Sequence, residues 1–138
     1  MRDQADRLFE RIMQARARGD TAEARFFMPM ALQAYAGAEP LDADGMFHVG
    51  LLHLNAGDAA QATAMADRIA QSDPNHLFGL ALRGEAALAS GDQAAARRAF
   101  TDYLARFDSE IARALPEYDM HRPALDEYRE TARSVAGG

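Results

Sequence analysis

The sequence predicts an all-α chain built from repeated helical hairpins. Three observations lead to this. Gly57-Asp58 and Gly91-Asp92 stand 34 residues apart, and Gly50 with Gly84, Leu54 with Leu88 and Ala62 with Ala96 share that offset. Self-similarity at a fixed period of this size marks an array of stacked helical units. Each Gly-Asp pair separates two stretches whose apolar residues recur at helical spacing. Alanine supplies 31 of the 138 residues and lysine none, so all 15 basic residues are arginine, and both types stand high on the helix-propensity scale. This usage points to codon bias in a GC-rich bacterial genome.

Taken in order, the first unit carries Leu8, Ile12 and Ala15 on one helical stripe, a turn at Gly19-Asp20, then Ala24, Met28 and Ala31. It precedes the second by 38 residues rather than 34, which places a short insertion near Ala36 to Pro40. The second unit opens with Asp42 or Asp44 as the cap that accepts from free backbone N–H groups. Met46, Val49, Gly50 and His53 form its first stripe. Gly57 supplies the left-handed residue that ends the helix and Asp58 caps the next. Ala62, Met65, Ala66 and Ile69 make the second stripe, and Ser72-Asp73-Pro74 closes it. In the third unit Leu80, Gly84 and Ala87 precede Gly91-Asp92, and Ala96, Phe100 and Tyr103 or Leu104 follow. From His121 to Val135, Leu125, Tyr128, Ala132 and Val135 share one stripe, and Pro123 suits a first helical turn. That segment reads as a helix covering the last unit, since an open-ended stack needs a cap. The expected layout is one domain over 1–138, with units at about 5–38, 43–76 and 77–110 and a capping helix at about 121–136.

At these positions the chain resembles the tetratricopeptide repeat family, whose pattern runs large–x2–Leu–Gly–x2–Tyr, then Ala–x3–Phe, then Pro, over 34 residues. The second unit places Met46, Val49, Gly50, His53, Ala62, Ala66 and Pro74 in those slots. The third places Leu80, Arg83, Gly84, Ala87, Ala96 and Phe100 there. The small residues match best, because glycine or alanine lets two helix backbones approach closely where they cross. No unit has the large aromatic at the first slot, Arg83 replaces leucine, and Asp108 stands where the third proline belongs. Other two-helix repeats of about 33–47 residues stay open beside this reading. The resemblance covers roughly residues 5–110. It implies a right-handed α-solenoid of about three such helix-turn-helix repeats plus the C-terminal capping helix.

The resemblance also implies where a partner sits, on the face formed by the first helices of successive repeats. Its groove positions fall on Asp6, Phe9, Met13, Arg16 and Ala17, then Asp44, Phe47, Leu51, Leu54 and Asn55, then Phe78, Ala81, Glu85, Leu88 and Ala89. Phe9, Met13, Phe47, Leu51, Leu54 and Phe78 are apolar on a face expected to meet solvent, and contiguous exposed apolar surface marks interaction sites. The expected partner-binding residues are therefore Phe9, Met13, Arg16, Asp44, Phe47, Leu51, Leu54, Asn55, Phe78 and Glu85. The expected function is a non-catalytic protein–protein interaction module, an adaptor or assembly factor that holds a peptide or partner protein in a shallow apolar groove. A self-assembling homo-oligomeric scaffold using the same surface is the alternative, with burial of these side chains beneath the capping helix as a third outcome. Some members grip a partner's C-terminal carboxylate with groove lysines and asparagines; Phe9 and Met13 fill those slots here, which argues against an acidic C-terminal peptide.

The remaining signals mostly exclude. A net charge of −6 opposes nucleic-acid binding, which needs concentrated positive charge, and a nucleic-acid-binding helical repeat ranks last. With no cysteine there is no disulfide framework and no thiolate chemistry. His48 and His53 are five apart, a spacing that puts them on different helix faces, so no metal site is expected; neither is a catalytic residue or a cofactor. Asp42 and Asp44 begin like a calcium loop, but its twelfth position is His53 rather than glutamate. Phe26-Phe27-Met28-Pro29-Met30 predicts a kinked helix packing its bulk on the second unit. The longest apolar run, Phe26 to Leu32, falls far short of the roughly 20 residues that span a bilayer. No signal peptide is visible, so direct membrane insertion is not expected and the cytoplasm is the default compartment, with a segment removed upstream of Met1 left open.

Overall fold

The computed structural model describes residues 1–137, and every regular element among them is helical. In chain order these are α1 (Arg2–Ala17), α2 (Thr21–Gly37), α3 (Ala43–Asn55), α4 (Ala59–Ser72), α5 (Leu77–Ser90), α6 (Gln93–Ile111), the short α7 (Pro116–Met120) and α8 (Arg122–Gly137). No helix among the described residues is long and apolar enough to cross a membrane.

The Gly-Asp pairs build three identical corners. Gly19, Gly57 and Gly91 take φ of +78°, +80° and +78°, a left-handed conformation that side chains with a Cβ resist. The next N–H in each case reaches five residues back: Asp20 to the Ala15 carbonyl at 2.8 Å, Asp58 to His53 at 2.8 Å and Asp92 to Ala87 at 2.9 Å. This Schellman closure satisfies carbonyls that the helix end leaves free. The same aspartates then accept from Glu23, Gln61 and Ala95 N–H to start the following helix. Two residues thus stop one helix and begin another, folding α1 on α2, α3 on α4 and α5 on α6.

Successive hairpins pack side by side, α2 against α3, α4 against α5, and α3 against α5. Two apolar clusters result. One gathers Phe9, Ile12, Ala31, Tyr35, Leu41 and Leu52; the other Phe47, Phe78, Phe100, Tyr103, Leu125 and Ala132. Met46, Leu51 and Met65 pack on both and join them. A Cβ on Gly84 would stand 2.6 Å from the Phe100 ring, so this glycine lets α5 and α6 cross closely. One on Gly50 would stand 2.5 Å from Leu82, so Gly50 serves the α3–α5 approach rather than the crossing within its own hairpin.

After α6 the chain turns back. Tyr118 of α7 accepts the Leu77 N–H at 2.9 Å and donates to Glu110 at 2.6 Å, fixing α7 at the start of α5. Leu125 and Ala132 of α8 are fully buried, and Tyr103 donates to the Leu125 carbonyl at 2.7 Å. Tyr128 and Val135 rest on the same cluster. In α2 Pro29 lies inside the helix. Phe26 and Met30 are 69% and 41% exposed, so the expected packing of this stretch on the second unit does not extend to them.

Candidate functional site

The ten side chains expected to form the groove separate into a sealed end and an open end. At the sealed end Asp44, Phe47 and Phe78 are buried, as is Phe9. Phe47 and Phe78 stack at 4.1 Å, and Phe9 stacks on His48 at 4.0 Å. The expectation that these rings meet solvent is overturned. Over Phe47 and Phe78 lies the chain's own C-terminal segment: the His121 ring lies 5.4 Å from both, and the Tyr128 ring 6.3 Å from Phe47; Phe9 is buried within the N-terminal cluster. The apolar stripe of α8 buries mainly against α6, and its Tyr128 also reaches the Phe47 ring of α3. Glu85 is half-buried near Tyr128, and burial pushes its carboxyl above the usual range.

The open end lies at the C-terminal ends of α1, α3 and α5. Arg16 is exposed, and Met13, Leu51, Leu54 and Asn55 are half-buried. Asn55 Nδ2 meets Met13 Sδ at 3.5 Å, and Arg16 Nη1 donates to the Asn55 carbonyl at 3.3 Å. Leu88 at the end of α5 is 38% exposed. An open crevice of about 450 Å³ adjoins Arg16 and Asn55, lined also by Arg25, Met28, Pro29 and Leu32. The arrangement offers apolar contact with two guanidinium groups at its rim. It holds no nucleophile paired with a base.

Sequence reasoning missed a polar cluster at the sealed end. Asp44 and His48 are one turn apart on α3, and His121 reaches them from just before α8. His121 Nε2 lies 2.7 Å from Asp44 Oδ1 and 3.2 Å from His48 Nε2, and His48 Nε2 lies 3.4 Å from the same Oδ1. Behind them Tyr35 donates to Asp6 Oδ1 at 2.7 Å, and both oxygens face His48 Nδ1, at 2.8 and 3.3 Å. Arg2 spans Asp42 at 2.9 Å and Asp44 at 2.8 Å. Burial would raise the Asp44 carboxyl, but the hydrogen bond from His121 and the charges of His48, His121 and Arg2 outweigh it and hold it below the usual range. Burial holds His48 below the ordinary imidazole value, against the pull of the Asp44 charge. The Asp44–x3–His48 spacing was the one available signal, since residues four apart share a helix face. His121, 73 residues beyond His48, gave none.

No family model matches the chain, and no curated protein matches it.

Proposed function

We propose that the chain is a non-catalytic protein-interaction module, a tetratricopeptide-like solenoid of three stacked hairpins, which takes an apolar segment of a partner across the open ends of α1, α3 and α5. The observation that carries this reading is the partly exposed strip of Met13, Arg16, Leu51, Leu54, Asn55 and Leu88 left beside the region that α8 seals. Apolar side chains left at a surface while similar ones a turn away are fully covered favour an occupant. Three helices at a spacing of about 8–10 Å give a strip on the order of 20 Å, which an extended segment of about six residues fills. The partner is a protein or peptide; net acidity sets nucleic acid aside.

The reading is tested by selecting short peptides from a random display library on the full chain and measuring their affinity by fluorescence anisotropy. Leu54→Glu is expected to weaken the selected peptides by about tenfold or more, while helicity by circular dichroism stays at the wild-type level. The exposed control Glu130→Gln is expected to bind as wild type. An empty selection, or peptides that bind Leu54→Glu unchanged, would contradict it.

A further inference from the structure

We propose that Asp44 Oδ1, His48 Nε2 and His121 Nε2 form a binding site for a divalent transition-metal ion of the zinc class, which fastens the C-terminal segment to α3. Two imidazoles and one carboxylate are a ligand set that zinc and its neighbours in the first row accept. The three atoms, separated by 2.7, 3.2 and 3.4 Å, make a triangle whose circumradius is about 1.8 Å. A point about 2.0–2.1 Å from all three, the zinc–ligand distance, therefore lies about 1 Å off their plane. That is close to the base of a tetrahedron, with the fourth position left to water.

The surroundings orient His48 and Asp44. Tyr35 has one hydroxyl proton and gives it to Asp6. Its oxygen and the Asp6 carboxylate are then both acceptors toward His48 Nδ1, so Nδ1 carries the ring proton and Nε2 presents a lone pair. Hydrogen bonding at the far ring nitrogen is how metal-binding histidines are held. Arg2 binds Asp44 Oδ2 at 2.8 Å and leaves Oδ1 for the site. The proton that His121 Nε2 shares with Asp44 is the one a metal ion would replace. Phe9, stacked on His48, and Phe47 and Phe78, edge-on to His121, wall the site with apolar rings. Asp6, Asp42 and Asp44 face one guanidinium, Arg2, and the excess negative charge suits a cation. With rings closing the sides, the ion's role is structural: it ties residue 121 to residues 44 and 48.

The test uses the untagged full chain, stripped with a chelator and titrated with Co²⁺ as a spectroscopic probe, then with Zn²⁺. The expected result is saturable one-to-one binding, visible absorption bands of a four-coordinate cobalt site, and displacement by Zn²⁺. Asp44→Asn and His121→Gln are expected to weaken binding by about tenfold or more, and His53→Gln to leave it unchanged. Because a variant of the cluster can also lose its fold, the wild-type chain labelled with ¹⁵N-histidine gives a second readout. Zn²⁺ should move the Nε2 resonances of His48 and His121 and leave those of His53 and His76 in place. Absence of saturable binding, or shifts confined to His53 or His76, overturns the site.

Discussion

Burial alone shifts Glu85, whose carboxyl is held above the usual glutamate range. At a pH below that range the folded and unfolded chains both carry the proton, and the residue has no effect on stability. As pH rises, the unfolded chain ionises first, while the folded chain resists placing a charge beside Tyr128. Glu85 therefore subtracts stability at neutral pH. Glu85→Gln is expected to raise Tm at neutral pH, with the gain disappearing below about pH 4, as thermal melts across pH would show. Equal melting of the two proteins at every pH would mean that the carboxyl reaches water. The same buried neighbourhood explains why a groove assignment by position fails here. Phe47 and Glu85 are both expected groove positions, yet the first is buried and the second half-buried.

At the scale of elements, the hairpins depend on signals held within a few residues. Gly91 sits at φ +78° with open space around its Cα, so a side chain there meets only backbone strain. Gly91→Ala is expected to cost about 1–2 kcal/mol, the penalty of a left-handed residue, measured by urea unfolding with the slope m unchanged. A neutral effect would mean that the corner adopts another turn. These corners were legible in the sequence because helix stop and start are both local: Gly57-Asp58 carries its own φ requirement and its own cap. The stripe Leu125, Tyr128, Ala132 and Val135 was legible too. The sequence also placed it over the last unit, whose Tyr103 donates to the Leu125 carbonyl; periodicity is silent only about its further reach, from Tyr128 to Phe47 in the second unit. Asp42 and Asp44 were equally ambiguous as caps, and only packing separates them. Asp42 accepts the Gly45 N–H at 2.8 Å, while Asp44 turns inward to Arg2, His48 and His121.

At the scale of the whole molecule, the all-helical class followed from composition and period, whereas the site depends on contacts across 42 to 77 residues. The first and last thirds of the chain meet at Arg2, Asp44 and His121, so the N-terminal hairpin, α3 and the C-terminal segment form one connected unit. Burial of Asp44, Phe47 and Phe78 leaves a smaller strip for the proposed partner than three bare hairpins would offer. On the proposed function, contacts with that partner concentrate on Met13, Arg16, Leu51, Leu54 and Asn55. The most direct measurement is hydrogen–deuterium exchange of the full chain with and without a selected peptide. Slowed exchange is expected at the C-terminal ends of α1 and α3, around Met13 to Arg16 and Leu51 to Asn55, with α6 unchanged around Arg97 and Arg98. Protection confined to α2 around Phe26 to Met30, or to α6, would contradict it and move the partner surface away from these helix ends.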